Sequence, residues 1–429
     1  MTTMTTTPDL FLGCVADDFT GAGDAASFLV NAGISVILFN GIPENPPERL
    51  PQAIVIALKT RTAPVSEAVH ETLRAARWLK EAGAFRLYLK YCSTFDSTRE
   101  GNIGPTADSL MENFHIPYTL LCPSLPVNGR TVKDGSLYVN GIPLHQSSMG
   151  SHPLTPMWDC RIQVLMKDQS QYPVFPLTLT EMEQGGSALA RIIHDKSRKY
   201  KHFYLVPDYY EKGHGELIIQ SFGSLPLLTG GSGLMGPIAQ RYLREKGLGA
   251  SLTCMDKTQG SAVLLAGSCS EMTLKQIACY QARGGVSCAI NPLMLLEGRQ
   301  KQEDLFAFLE QNSKNSVLFY SSAEPEKVRE SQKAGTERIS RLLETLMARL
   351  ASCALNLGKK RIIVAGGETS GAVTKILGYQ SYYIGNSIAP GVPIMIPCKQ
   401  PDLRLVLKSG NFGQEDFFLK ALEMTGKPE

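Results

Sequence analysis

Two adjacent carboxylates, Asp17 and Asp18, sit in a run that turns glycine-rich at once: Ala16-Asp17-Asp18-Phe19-Thr20-Gly21-Ala22-Gly23-Asp24. Glycines permit tight backbone and expose amide N–H groups, and a carboxylate beside them can bind a hydroxyl or take its proton. Asp18 is therefore the candidate catalytic base, and Asp17 and Asp18 are both candidate substrate ligands. The plainer alternative is that one of them only caps the following helix. A second run, Lys90 to Asn102, gathers Lys90, Arg99, Asp96, Asn102 and the hydroxyls of Ser93, Thr94, Ser97 and Thr98. Cations beside hydroxyls suit a polyol that carries a carboxylate. Lys90, Ser93, Asp96 and Asn102 are the candidate substrate-binding residues there, against the alternative of an ordinary polar loop. Arg61, near another strand end, is a second cation for the same carboxylate.

Further along, Gly366-Gly367-Glu368-Thr369-Ser370-Gly371 follows a predicted strand and precedes a helix. Such a turn lets backbone N–H groups approach phosphate oxygens, with the helix dipole favouring their charge. It lacks the lysine of GxxxxGK[ST]. A bound Mg²⁺ would then neutralise more of the phosphate charge, with Glu368 or a hydroxyl as its ligand. The alternative is a tight strand-to-helix turn. Lys408-Ser409-Gly410-Asn411-Phe412-Gly413 also follows a strand, and Gly410 could admit an adenine or ribose close to the backbone. One motif competes: Gly231-Ser232-Gly233-Leu234-Met235-Gly236 fits GxGxxG, with Asp256 about twenty residues on, as an NAD-dependent dehydrogenase would want. It comes late, and Asp256 follows no clear second strand, so a helix-start turn is the expectation.

These runs need elements to hold them. Short apolar strands are predicted at Leu12–Ala16, Ser35–Phe39, Ala53–Leu58, Arg86–Lys90 and Tyr118–Cys122, with helices over Ala22–Asn31, Val65–Ala82 and Pro105–Phe114. The rhythm implies a largely parallel sheet covered on both faces. It breaks between Pro123 and Pro176, where Asn128-Gly129, Asp134-Gly135 and Asn140-Gly141 signal hairpins of an inserted β-rich flap. It resumes with a helix near Ser187–Arg198 and strands at His202–Val206 and Leu225–Leu228. After a helix over Pro237–Lys246, Gly247–Gly260 is polar and marks a boundary. A second series follows, with strands at Ser261–Ala266, Val286–Ile290, Val317–Tyr320, Arg361–Ala365, Ile394–Ile396 and Leu403–Lys408. Helices are predicted at Thr336–Asn356 and Glu415–Met424. The fold class is α/β: two doubly wound domains, residues 1–250 and 251–429, with largely parallel sheets and the flap in the first.

A chain of 429 residues exceeds the usual reach of one core. Its 43 basic and 40 acidic residues give a net charge of +3, too small and scattered for a nucleic-acid partner. The ten cysteines show no CxxC pair, and the histidines no HExxH. Met1–Asp9 reads as a loose tail rather than a signal peptide, and no apolar run is long enough to cross a bilayer. The expectation is a cytoplasmic protein without membrane partners; a homo-oligomer stays open.

Taken together, these motifs resemble the four-carbon acid-sugar kinase family, and within it the 3-oxo-tetronate branch. The likeness lies in Gly13–Gly21, in Lys90–Asn102 with its KYCSTFDST-x-EGNIG pattern, and in Asn128-Gly129-Arg130-Thr131 and His152-Pro153-Leu154 of the flap. It continues in Gly366–Gly371 and Lys408–Gly413. It spans about Leu12 to Phe418. The resemblance implies an N-terminal substrate domain and a C-terminal nucleotide domain that move the ATP γ-phosphoryl to the 4-hydroxyl of a 3-oxo-tetronate. It implies ATP contacts at Ser268, Gly367, Glu368, Thr369, Ser370 and Gly410, with Gly366 in the same turn. Gly23 and Arg99 depart from the pattern, standing where a Ser or Thr and a Pro are expected. An extra arginine beside the substrate loop bears on which isomer fits. A non-catalytic sugar-acid binder could use the same residues.

Overall fold

The computed structural model describes residues 10–151, 155–249, 256–321, 336–408 and 410–427. His152-Pro153-Leu154 of the flap motif lie outside the described residues. The chain divides into two compact units, Met1–Leu252 and Thr253–Glu429.

The first unit runs β1 (Leu12–Ala16), α1 (Phe19–Asn31), β2 (Val36–Asn40), β3 (Ala53–Ala57), α2 (Val65–Glu81), β4 (Arg86–Lys90), α3 (Ile103–Asn113) and β5 (Tyr118–Leu120). The flap follows as β6 (Arg130–Lys133), β7 (Ser136–Val139) and β8 (Ile142–Pro143). Then come α4 (Ile162–Met166), β9 (Val174–Leu177), α5 (Leu179–Glu183), α6 (Gly186–Ser197), β10 (Phe203–Pro207), α7 (His214–Phe222), β11 (Leu227–Gly230) and α8 (Met235–Lys246). Strands β11, β4, β1, β3 and β2 lie side by side in that order, all parallel. β1 and β3 are buried at every position, as continuous apolar runs in a parallel sheet should be. Each fully buried Ile or Val there stabilises by about 1.5–3 kcal/mol relative to exposure.

Helix α2 shows how sequence makes these layers. Its buried Ala68, Thr72, Ala75, Ala76 and Leu79 form one stripe at helical spacing. The stripe lies so near the sheet that a Cβ at Gly13 would come within 2.9 Å of Leu79 Cβ.

Two of the three predicted turns form two-residue hairpins, while Asn128 instead ends a short 3-10 turn capped by Gly129. Asp134-Gly135 joins β6 to β7 and Asn140-Gly141 joins β7 to β8, with positive φ at all four residues, as two-residue hairpin turns require. The parallel rhythm resumes earlier than the sequence suggests. Pro176 lies inside β9, which pairs with β10 on one side only; an edge position tolerates proline because no ladder hydrogen bond is lost there.

The second unit runs β12 (Ala262–Ala266), α9 (Glu271–Ala282), β13 (Val286–Ala289), α10 (Pro292–Leu296), α11 (Gln302–Gln311), β14 (Val317–Tyr320), α12 (Thr336–Asn356), β15 (Arg361–Ala365) and α13 (Gly367–Leu377). It closes with β16 (Ser381–Ala389), β17 (Val392–Pro397), β18 (Arg404–Lys408) and α14 (Phe417–Thr425). Strands β18, β15, β12, β14 and β13 are parallel neighbours in that order. β17 joins β18 antiparallel, and β16 joins β17 antiparallel. Both units are thus α/β with largely parallel sheets.

Strand order fixes where ligands can bind. From β1 the chain crosses β3 to reach β2, whereas from β3 it crosses β1 to reach β4. Right-handed crossovers running in opposite directions put α1 and α2 on opposite faces. The loops after β1 and β3 therefore diverge, and a crevice opens between them. In the second unit the same holds for β12, which leads through α9 toward β13, and β15, which leads through α13 the other way. The predicted site residues Asp17, Asp18 and Arg61 follow the first pair; Ser268 and Gly366–Ser370 follow the second.

Candidate active site

At the first switch point Asp18 ends β1's loop and begins α1. Its side chain accepts from the Gly21 N–H at 2.9 Å, so the capping alternative is true of it. Capping uses one oxygen, and Arg61 Nη2 donates to that same Oδ1 at 2.8 Å. Arg61 Nε and Nη2 also grip Asp17 at 2.9 Å each, a bidentate pair of the strong kind. The Asp17 carbonyl accepts from the N–H groups of Thr60 and Arg61. Burial raises the Asp18 carboxyl above its ordinary value, with Arg61 pulling the other way. Burial would lower the Arg61 guanidinium, but Asp17, Cys92 and Asp18 together outweigh it, and Arg61 stays charged. Asp18 keeps 30% of its side chain exposed. A desolvated but reachable carboxylate is what a general base needs.

Lys90 ends β4 and is buried, its Nζ donating to Tyr91 O at 3.0 Å. The ammonium also faces α1: a Cβ on Gly21 would lie 3.0 Å from Nζ. Beyond it the loop is held in an unusual shape. Phe95 is fully buried at φ 52° and packs edge-on to Tyr91 at 5.6 Å. Strain of that kind persists where the surroundings over-determine it. Asp96 accepts from Thr94 Oγ1 at 2.6 Å. The Cys92 thiol is pushed up to about 11 by burial, which leaves it protonated and inert.

Asn102 is a surprise. Its Nδ2 donates to the carbonyls of Thr60 at 2.7 Å and Ala63 at 2.8 Å, so it holds the Arg61 loop. Asp17, Arg61, Lys90, Asp96 and Asn102 line one pocket with Thr60 and Ser97. Asp18 and Ser93 are outside that lining; Asp18 joins it through Arg61. Arg99 does not reach the pocket: it pairs with Asp168 at 2.6 Å and lies over the Trp158 ring at 4.0 Å.

The second switch point brings three loops together. The Gly267 and Ser268 N–H groups donate to Ala365 O, and Gly366 N–H donates to Lys408 O. Gly366 has φ 133°, and a Cβ there would meet Ser268 N and Thr369 Oγ1 at 3.1 Å. A Cβ at Gly410 would overlap Ser268 Oγ. Gly367, by contrast, opens α13 with nothing within 4 Å of where its Cβ would be. A helix N-terminus facing open space can receive an anion. Glu368 is exposed in the first turn, while Thr369 and Ser370 are buried. Sequence reasoning gave Lys408 no role. Its Nζ is buried and donates to Gly410 O at 2.7 Å and Thr273 Oγ1 at 3.0 Å. Burial lowers it to about 8.

The dinucleotide alternative has a packing explanation. A Cβ at Gly231 would lie 2.6 Å from Pro123 O, and one at Gly233 would overlap Ser124 O. Ser232, Gly233 and Leu234 are buried. These glycines serve contact with the segment leading into the flap, so the turn offers no room for a pyrophosphate. Asp256, where a ribose ligand would stand, accepts from Asn386 N–H in the second unit.

Known proteins resemble this chain across both units. A family model described as a sugar-binding N-terminal domain matches residues 12–238, and one described as a nucleotide-binding C-terminal domain matches 263–418. A 3-oxo-tetronate kinase of Brucella melitensis is 39% identical over 98% of this chain and 97% of its own. One from Haemophilus influenzae is 38% identical over 95% of this chain and 98% of its own. The chain belongs to the four-carbon acid-sugar kinases, in the 3-oxo-tetronate branch. Solved structures share the fold: a protein of Salmonella typhimurium LT2 is 37% identical with a TM-score of 0.88, over 96% of this chain and 98% of its own. A Haemophilus influenzae protein is 38% identical with a TM-score of 0.83, over 96% and 99%. Among the described residues of this acid-sugar kinase relative, no helix is long and apolar enough to cross a membrane.

Proposed function

We propose that the protein is an ATP-dependent kinase that phosphorylates the 4-hydroxyl of a 3-oxo-tetronate, giving 3-oxo-tetronate 4-phosphate and ADP. One observation carries this reading: identity near 39% runs through both units to relatives that bear that activity in their names. The geometry supports it. Residues 1–250 form the acid-sugar domain and residues 251–429 the nucleotide domain.

In the first domain Asp18 orients the acceptor hydroxyl and takes its proton as the oxygen attacks phosphorus. Arg61 holds Asp17 and Asp18 in register, and Asn102 holds Arg61 by fixing its loop. Lys90 and Asp96 line the pocket for the acid sugar. In the second domain Gly366, Gly367, Thr369 and Ser370 receive the phosphates, with Ser268 and Gly410 beside the nucleoside. Lys408 keeps the Gly410 loop in place. Glu368 is the carboxylate suited to Mg²⁺, which would neutralise phosphate charge. Among the described residues no three His, Cys, Asp or Glu gather as a protein-built metal cage. That fits an ion held chiefly by nucleotide and water. The nine described cysteines are unpaired, in keeping with a cytoplasmic enzyme.

The test is a panel of 3-oxo-tetronate isomers offered with ATP while ADP is measured. ADP formation that depends on one isomer is expected. A protein that binds tetronates and forms no ADP with any of them is a binder, and the kinase reading is then wrong.

A further inference from the structure

The loop between β4 and α3 takes its shape from a residue far along the chain. Gln169, three residues past α4, is buried. Its Oε1 accepts from Ser97 Oγ at 3.0 Å and from the Gly104 N–H at 3.2 Å, and its Nε2 donates to Thr98 O at 2.8 Å. The Gly104 N–H belongs to the first turn of α3, where the helix itself offers no acceptor. Asn102, at the cap, makes no side-chain cap bond. Gln169 thus supplies the cap that the local sequence lacks. The approach is close: a Cβ at Gly104 would lie 2.6 Å from both Gln169 Cβ and its carbonyl oxygen.

Gln169 is itself held. Its N–H donates to Met166 O at 3.0 Å, and Ser170 Oγ, one residue on, donates to the Asp108 carboxylate of α3 at 2.7 and 2.9 Å. Ile162, Leu165 and Met166 of α4 are buried, and the Ile162 N–H donates to Gly135 O in the flap at 2.9 Å. What Gln169 grips is one wall of the pocket, where Ser97, Asn102 and Ile103 stand with Arg61 and Lys90. Asn102 passes the constraint on, since its Nδ2 fixes the carbonyls of Thr60 and Ala63 on either side of Arg61. Its Oδ1 is buried with no hydrogen-bond partner among the described residues, an acceptor left over for a ligand hydroxyl. Asp168, next to Gln169, contrasts with it: its pair with Arg99 is exposed, and such pairs contribute little.

We infer that Gln169 is a positioning residue for the acid-sugar pocket: through Ser97, Thr98 and Gly104 it sets the wall against which the substrate's hydroxyl is fitted. This rests on the proposed substrate class and names what fixes the shape of its site. A 3-oxo-tetronate has one stereocentre, C2, so a wall held in one place tells its two isomers apart. Releasing that wall weakens the preferred isomer and blurs the choice.

The experiment measures calorimetric binding of both C2 isomers of 3-oxo-tetronate, and separately of ATP, to the full chain, with ADP formation followed alongside. Gln169→Met fills the same space and makes none of the three bonds. It should weaken the preferred isomer about tenfold or more, narrow the ratio between isomers, and leave the Kd for ATP within about twofold. Asp168→Asn, one residue away, should change neither affinity beyond about twofold. A residue that only supports the fold would lower Tm and leave the isomer ratio where it was. Preferred-isomer binding within about threefold of wild type in Gln169→Met, an equal loss for both isomers, an equal loss in Asp168→Asn, or no binding of either isomer to the wild type overturns the inference. Should Gln169→Met not fold, Gln169→Asn, whose amide is one methylene too short to span these bonds, decides by the same criteria. Isomer-selective binding that needs Gln169 without any ADP formation upholds the positioning role and refutes the kinase. Isomer-dependent ADP formation that Gln169→Met leaves unchanged does the reverse.

Discussion

Asp18 caps α1 and accepts from Arg61, so its substitution must separate structure from chemistry. Asn keeps the capping oxygen. Asp18→Asn should therefore leave the fold and the KM for ATP near normal while lowering kcat by about 10²–10⁴. Steady-state kinetics check this, and unchanged turnover would remove Asp18 from the mechanism. The pH profile adds a second reading. The base works ionised, and burial raises its pKa, so the acid limb of kcat/KM should lie above the ordinary aspartate range and vanish in Asp18→Asn. The sign for stability runs the same way. A carboxyl whose folded pKa is raised binds its proton more tightly when folded, so ionisation costs stability as pH rises through that value. At neutral pH the Asn variant should melt no lower than the wild type, and a clearly lower Tm would contradict that sign. The place of Asp18, after β1 and at the cap of α1, was legible from its neighbours in sequence. The roles of Asn102 and Lys408 were not, because their partners are backbone carbonyls distant in sequence or hydroxyls on another loop, and no motif encodes those.

At the scale of elements, two neighbouring glycines after β15 should respond differently. Gly366 holds a positive φ in a crowded place, so Gly366→Ala should destabilise by about 1–3 kcal/mol. Gly367 faces open space, so Gly367→Val should fold and instead raise the Kd for ATP at least tenfold by filling the phosphate site. Thermal melts and calorimetry separate the two, and unchanged ATP affinity in Gly367→Val would move the nucleotide elsewhere. The Gly231–Gly236 turn makes a matching prediction. Gly233→Ala would force a Cβ into the Ser124 carbonyl, so it should lower Tm. NAD(H) should not bind the wild type, and binding that Gly233→Ala abolished would revive the dehydrogenase alternative. Element existence was plain wherever apolar runs were unbroken: β1, β4, β14 and β15 fall where the sequence puts them. β16 was not, since Gly385 and Asn386 interrupt its apolar pattern and its pairing with β17 shifts register. β9 was hidden by Pro176, which a sequence reader takes as a break.

At the scale of the molecule, each unit places its polar loops where strand connections diverge, and this topology, more than any one motif, tells which loops matter. Sequence periodicity gives the alternation of strands and helices, but not the order in which strands lie side by side. The switch points appear only once that order is known. In the proposed mechanism, they make two short glycine runs the phosphate-accepting loops and a carboxylate pair the hydroxyl-accepting site. The central claim is a specific bond: phosphorus joined to the oxygen on C4 of a 3-oxo-tetronate. A ³¹P NMR spectrum of the product made from ATP and the preferred isomer tests it directly. C4 is a methylene, so the account predicts a new phosphomonoester signal split into a triplet by its two protons. A doublet, from the single proton on C2, or no substrate-dependent phosphoester at all, would contradict it.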